Sequence, residues 1–407
     1  MRVILLQRHL LAVLLVCVLG VTSIALYPQR ATAANTGTTN IAVTVKPGQT
    51  MDLAARSMAG LVWTLKEKNT GGRITTQGKL IAPLKPGQYH IIGISKGKPR
   101  KTFTFTATVQ PIVAVTEPTL GTERLYPLPG GGVIRMRYVP PGAFEMGNSE
   151  QGDDAELGQD EEKPKHTVTV SGFWVGKCEV TRGQYRKFMK AGGYTNQDYW
   201  SPEGWAWLQD AGRTEPNDWA PDIEWANPPG SFKQTDDHPV VGINHFEAEA
   251  FCRWAGLRLP TEAEWEKAAR WDGQHSRIYA WGDTWDATKC NDANDPLYPG
   301  GQTAPIGKYP GGASPCGALD MIGNVWEWCS DWRVVDYYAS SPSTDPQGPP
   351  TSDLRVVKGG SWFGSNWVGA DENDRLRAAL RGGFDPHNTS GQIGFRCAVT
   401  KMPASAQ

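Results

Sequence analysis

A chain of 407 residues is long enough for two or three domains. Its formal charge of -1, without any cluster of Lys or Arg, excludes nucleic acid and an anionic membrane surface as natural partners. Gly 46, Pro 30 and Trp 17 describe a turn-rich protein with aromatic cores and exclude a helical bundle.

Residues 1–33 read as a secretory signal peptide: Arg2 and Arg8 precede an apolar run over 10–26, and Ala31-Thr32-Ala33 fits a small-x-small cleavage site. The expectation is a secreted, periplasmic or cell-surface protein with no membrane insertion after cleavage. An uncleaved anchor is the alternative, since the run is nearly long enough for a bilayer of ~30 Å. Cys17 lies in the leader, which leaves Cys178, Cys252, Cys290, Cys316, Cys329 and Cys397, an even set that permits bridges in an oxidising compartment. No Cys or Cys/His spacing suits zinc.

Residues 34–112 carry short alternating runs, IAVTVKPGQ, LVWTLKEK, GRITTQGKLIAP, YHIIGISKG and TFTFTATV, separated by Pro-Gly or Gly-rich turns. This pattern predicts a small antiparallel β-sandwich. The order Pro47-Gly48-Gln49, Trp63, Gly71-Gly72, Ala82-Pro83 and Pro86-Gly87-Gln88-Tyr89 resembles bacterial immunoglobulin-like modules, which implies a spacer, stalk or adhesive unit. Residues 113–129 show no period and read as a linker. The second domain is expected over 130–401, with a tail at 402–407.

That domain opens with GGVIRMRYVPPGAFEMG, a hairpin-like pattern, followed by an acidic run over 150–162 that reads as a solvated loop. HTVTVSGFWVGKCEVT alternates as a strand, and Thr181 caps a helix over RGQYRKFMKAGG that stops at Gly192-Gly193. Residues 194–237 are loop-rich and hold Trp200, Trp205, Trp207, Trp219 and Trp225, which either pack on the domain or recognise a ligand. DHPVVGINHFEAEAFCRWAGLRLP gives a strand and an amphipathic helix. Thr261-Glu262-Ala263-Glu264 then forms a capping box. His238 and His245 lack a third ligand and read as structural.

In LDMIGNVWEWCSDW a carboxylate, Glu327, lies between Trp326 and Trp328. A buried charge there needs a partner. A hard cation held by Glu327, Asp320 and turn carbonyls near Gly323 would supply one; the alternative is an exposed Glu327 on an edge strand.

GLRLPTEAEWEKAAR, LDMIGNVWEWCSDW, RVVKGGSW and IGFRCAV, in this order, resemble the formylglycine-generating enzyme (sulfatase-modifying factor) family. The resemblance implies an α+β, C-type-lectin-like fold with little regular structure, a small antiparallel sheet and calcium-stiffened loops. It implies one structural calcium site at Asn291, Asp292 and Asp295, and a second at Asp320, Gly323, Val325 and Glu327. It also implies a Cys252–Cys397 disulfide; a second family pair falls on Ala269 and Ala378, where both members are missing. Cys290 with Cys316 is expected because both flank one loop, and Cys178 with Cys329 only by elimination.

Enzymes of the family oxidise a substrate cysteine with oxygen and copper, the metal held by two thiolates soon after the GGS motif. Here those positions are Gly364 and Gly369, with no cysteine between Cys329 and Cys397. Thiolates are the ligands that suit Cu(I), so copper is not expected. Asn324, Ser361 and Trp326 match residues that line the family's cleft. The leading expectation is a calcium-stabilised, non-oxidase binding module for a protein or glycan ligand, with residues 362–368 on its recognition surface; a related alternative is that this segment is a diversified surface, as in retroelement-variable proteins. The alternative is an oxidase of the sulfatase-modifying or siderophore-maturation type with a metal site not evident in the sequence; a structural surface protein is the third.

Overall fold

The computed structural model describes residues 40–45, 50–52, 61–66, 73–74, 79–81, 87–95, 102–109, 117–217, 219, 234–292, 301–364 and 376–403. The leader, Trp225, Asp295, residues 365–368 and Gly369 lie outside the described residues. Among those described, no helix is long and apolar enough to cross a membrane. The chain divides into two units, Met1–Glu117 and Pro118–Gln407.

In the first unit, β1 (Asn40–Val45), β3 (Leu61–Leu65), β6 (Gly87–Ser95) and β7 (Thr102–Val109) form a sheet of order β1-β7-β6-β3. The short strands β2 (Thr50–Asp52), β4 (Arg73–Ile74) and β5 (Lys79–Ile81) form a second, of order β2-β5-β4. The strands occur where the alternating runs predicted them. One pairing departs from the antiparallel expectation: β1 runs parallel to β7, from Asn40↔Thr104 to Val45↔Val109. A parallel pair needs a long connection, and here nearly the whole unit supplies it. Tyr89 and Ile91, two apart on β6, are both buried, as one face of a strand requires.

The second unit begins earlier than the sequence suggested. Residues expected in a linker form β8 (Glu123–Pro127), which pairs antiparallel with β9 (Val133–Val139). Glu123 sits opposite Arg137 and pairs with Arg135, Arg137 and Lys177 at 2.7, 2.8 and 3.4 Å, which fastens the strand. The expected hairpin is also absent. Strand β9 pairs with β12 (Phe173–Gly176), whereas β10 (Gly142–Met146) pairs with β11 (His166–Val170). Pro140 and Pro141 separate β9 from β10, and a proline pair removes the donors a tight turn would use.

Helices follow their caps. Thr181 and Gln184 form a capping box at α2 (Arg182–Lys190) after the short α1 (Asp153–Leu157). The segment over 194–237 contains a helix the sequence reading missed, α3 (Pro202–Ala211), started by Ser201 with Pro202 in the first turn and stopped by left-handed Gly212. Trp200 is buried, its Nε1 donating to the Gly193 carbonyl at 2.8 Å, and Trp205 and Trp207 pack against the core. Capping boxes also open α4 (His245–Ala255) through Asn244 and Glu247, and α5 (Glu262–Arg270) through Thr261 and Glu264. The last sheet, of order β15-β14-β13-β16, joins β13 (Trp326–Trp332), β14 (Arg355–Lys358), β15 (Arg381–Phe384) and β16 (Ile393–Gly394). β17 (Ala398–Val399) closes the sheet of β8, β9 and β12.

The acidic run is not a solvated loop throughout. Asp154 and Glu162 are 0% exposed. Arg377 grips Glu162 through both nitrogens at 2.6 and 2.7 Å and reaches Asp154 at 2.9 Å, while Arg270 meets Asp154 at 3.2 Å. α5 continues the network, since Glu262, Glu266 and Arg270 recur every fourth residue on one buried stripe. Lys358 binds Glu266 at 3.0 Å, and Arg381 binds Glu262 at 2.7 and 3.1 Å. Four buried acids thus face four buried bases.

Burial works to raise the Asp154 and Glu262 carboxyls, but the facing Arg270 and Arg381 outweigh it and hold both below the usual range. A depressed folded value means stability that is present above the ordinary carboxylate range near ~4 and lost as pH falls through the folded values. Arg377→Leu should cost about 3–5 kcal/mol, because it strands the buried Glu162 carboxylate and leaves Asp154 with Arg270 as its one cation among the described residues. Thr181→Ala should cost only about 1 kcal/mol, the loss of one cap. Urea denaturation of both variants checks the ratio.

Candidate functional site

The stretch 319–332 forms a left-handed turn and then the buried strand β13. Asp320 and Asn324 have φ of 56° and 62°, and Gly323 has 77°. β13 lies between β14 and β16, so the edge-strand alternative for Glu327 does not hold. Glu327 is 0% exposed, and its partner is Arg396. Nε and Nη2 of that guanidinium donate to the two carboxylate oxygens at 2.6 Å each, and Trp265 Nε1 adds a third donor at 2.8 Å. Arg396 also holds the Gly176 carbonyl at 2.9 Å and the Leu319 carbonyl at 3.0 Å.

Asn324, expected in the cleft, is instead a buried junction. Its amide donates to Glu179 Oε1 at 2.8 Å, and its oxygen accepts from the Ala304 N–H at 2.8 Å and Asn291 Nδ2 at 3.1 Å. Asp320 is buried and accepts from the Gly307 N–H at 2.6 Å. Burial, with Glu327 and against Arg396 and the Gly307 amide, pushes the Asp320 carboxyl up to about 6. Burial and the neighbouring Asp320 push Glu179, which the sequence reading did not single out, well above the usual range.

The two calcium sets fit unequally. In the second, Asp320 is in place, but both oxygens of Glu327 are committed to Arg396 and Trp265. In the first, Asn291 is buried with Oδ1 free of any hydrogen bond, as an oxygen ligand would be, and Asp292 is buried beside it in sequence. Among the described residues, no group of three or more His, Cys, Asp or Glu side chains is placed to hold a metal.

Ser361 is buried at the turn where the family's thiolates follow. Its hydroxyl donates to Gln392 Oε1 at 3.1 Å and accepts from the Phe363 N–H at 3.2 Å. Gly364 closes the turn, its N–H donating to the Ser361 carbonyl at 2.9 Å, with φ of 79°. A cysteine at 364 would carry the left-handed strain of roughly 1–2 kcal/mol. Trp326 is fully buried with Nε1 unpartnered, whereas Phe363 is 47% exposed, edge-on to Trp362.

All six described cysteines are thiols. Cys252 and Cys397 face each other in the core with sulfurs 3.6 Å apart. Cys316 donates to the Ala268 carbonyl at 3.3 Å rather than bridging Cys290, and Cys178 and Cys329 are likewise unbridged. Both singled-out histidines sit in structural surroundings. Burial, with Arg355, pushes His245 down to about 3 while it contacts the Cys329 carbonyl at 3.2 Å, and His238 contacts Thr303 Oγ1 at 3.0 Å. A cavity of about 520 Å³ lined by Gly130, Gly183, Arg186, Lys187, Lys190, Ala191 and Asp236 contains none of the expected site residues.

Two other buried acids, shifted in the same direction as Asp320 and Glu179, add to the pH response. Burial raises Asp331 to about 7, aided by Glu262, and burial raises Glu247 to about 7 despite Arg213 and the Tyr194 hydroxyl. Their folded values exceed the unfolded ones near ~4, so the native state binds the extra protons and stability falls as pH rises from there to about 7. The melting temperature should therefore be higher at pH 5 than at pH 8. Asp331→Asn should flatten that slope.

The family model for the sulfatase-modifying factor enzyme 1-like domain matches residues 131–401. The hercynine oxygenase of Mycolicibacterium thermoresistibile is 40% identical over 248 residues, 59% of this chain and 53% of that protein, so the chain spans about half the length of such relatives. The formylglycine-generating enzyme of Streptomyces coelicolor is 36% identical over 296 residues, 66% of this chain and 88% of the enzyme. The solved structure of PvdO from Pseudomonas aeruginosa is 22% identical, covering 69% of this chain and 98% of that one, with a TM-score of 0.49. With its motifs in order and a family match over residues 131–401, most of the second unit, the chain belongs to the sulfatase-modifying factor enzyme 1-like family.

Proposed function

We propose that this chain is an oxygen-dependent oxidase or oxygenase whose metal is not held by the family's cysteine pair. The observation that carries the reading is the similarity to hercynine oxygenases, 40% identity over 248 residues, above the 36% to a formylglycine-generating enzyme. The hercynine relatives are named as oxygenases, which favours the oxidase alternative over the binding module expected from the two glycines. The glycines then mean a change of metal site, because left-handed Gly364 suits a turn and not a thiolate ligand. Ser361, Gln392 and the exposed Phe363 would form the substrate side of the reaction, on a turn braced by Trp362. A signal peptide at 1–33 would carry the enzyme out of the cytoplasm.

A binding role remains the second reading, favoured by Phe363, a large exposed apolar side chain beside the cleft position. An oxygen electrode separates the two. The purified chain, loaded with Fe(II) or Cu(I), should consume oxygen in the presence of hercynine or a cysteine-containing peptide, and Phe363→Ala should weaken substrate dependence. No uptake above the metal-only control with any combination would return the chain to the binding class. Gly364→Cys should not restore copper chemistry and should lower the melting temperature.

A further inference from the structure

The cavity of about 520 Å³ shares no lining residue with the turn at Ser361, and its charges do not balance. Three bases line it, Arg186, Lys187 and Lys190, against one acid, Asp236. The acid is spent on the first of them, since Arg186 Nη1 meets Asp236 Oδ1 at 2.6 Å. Among the described residues the lysines that pair with an acid are Lys163, Lys177, Lys289 and Lys358, so Lys187 and Lys190 stand uncompensated. Both lie in the last turn of α2, where a base also meets the negative end of the helix. That end accounts for a lysine there but not for the wall beside it. Gly130, Gly131 and Gly132 are consecutive left-handed residues, with φ of 77°, 89° and 85°, a run that disfavours any side chain. A Cβ on Gly132 would come within 3.2 Å of Lys187 Cε, so the bare backbone lets the lysine stem lie against it. The turn is closed by the Gly131 N–H on the Leu128 carbonyl at 3.1 Å, whereas the Gly130 and Gly132 N–H groups donate to no backbone carbonyl among the described residues. Gln184 Nε2 donates to the Val133 carbonyl at 3.0 Å and so fixes α2 against the start of β9.

Two uncompensated ammonium groups beside uncovered backbone donors are complementary to an oxyanion with more than one charge. The volume falls within the range of small-ligand sites, roughly 300–1,000 Å³, and leaves room for more than a bare ion. We propose that this cavity binds a sugar or similar polyol that carries a phosphate or sulfate ester. Lys187 and Lys190 hold the ester group, and Asp236, its side chain 62% exposed, accepts from the hydroxyls. Arg186, held by Asp236 and lying 5.6 Å from the centre of the Trp219 ring, keeps that acid in place. The site is independent of the oxidase reading and holds whether or not the chain consumes oxygen.

Titration calorimetry on the full chain tests this with glucose 6-phosphate, glucose 6-sulfate, inorganic phosphate, inorganic sulfate and glucose. At least one ester should bind saturably and more tightly than its inorganic ion, added sodium chloride should weaken it, and glucose should not bind. The ester that binds more tightly names the group. Lys187→Gln/Lys190→Gln should lose about tenfold or more in affinity, while Lys187→Arg/Lys190→Arg should keep it. Lys163→Gln/Lys165→Gln, two exposed positions outside the cavity, removes the same charge and should leave binding unchanged. Should the first double variant fail to fold, Lys190→Gln alone, at an exposed position, should still weaken binding. Binding of neither ester, inorganic ions that bind as tightly as the esters (an adventitious ion only), wild-type affinity in a folded Lys187→Gln/Lys190→Gln, or an equal loss in Lys163→Gln/Lys165→Gln would each overturn the proposal.

Discussion

The second unit is assembled around one guanidinium. Arg396 binds both oxygens of Glu327, and its remaining donors hold the carbonyls of Gly176 and Leu319. It therefore joins the end of β12, the turn before β13, β13 itself and the C-terminal segment at a single buried point. A fully desolvated ion pair is not in itself a source of stability. Its value here is geometric, because a planar fork meeting a planar carboxylate admits one arrangement, and Trp265 locks the third position. Once Glu327 is fixed, the tryptophans on either side are fixed too, and both are fully buried.

The same logic extends along α5. Short helices and short strands bury little apolar surface, so much of the interior is polar and must be matched charge for charge. Asp154, Glu162, Glu262 and Glu266 against Arg270, Lys358, Arg377 and Arg381 achieve that match across segments distant in sequence. A fold with many loops gains uniqueness from such a network, since any slip leaves a buried charge unpaired. Glu179 and Asp320 stand out because the network does not balance them.

The resemblance places the family's copper thiolates just after the GGS motif, on a turn. In this chain the turn is built on Gly364 in the left-handed region and on the Ser361 hydroxyl, which bonds Gln392 and the Phe363 amide. The backbone there is shaped for glycine, so the departure from the thiolate pattern is part of the local structure rather than a single exchanged side chain. An aromatic surface at Phe363 accompanies it. Under the proposed oxidase reading, the metal would be organised from elsewhere and this turn would meet the substrate.

Much was determined by the sequence alone. The cap at Thr181 and the capping box at Thr261 are local signals, and the structure has both. The strand runs of the first unit were legible because alternation is a local signal. The family was legible because four motifs stand in order. What only the tertiary structure decided is who meets whom across long separations. Glu327 looked like a cation ligand because its true partner, Arg396, lies 69 residues away. The acidic run looked solvated because Arg377, which buries Glu162, lies 215 residues on. α3 was hidden since its apolar period is weak, and β9 and β10 looked like a hairpin because proximity in sequence says nothing of which strand completes the sheet. A charge shows in sequence that it needs a partner, but its partner is chosen by the fold, where desolvation makes the choice binding.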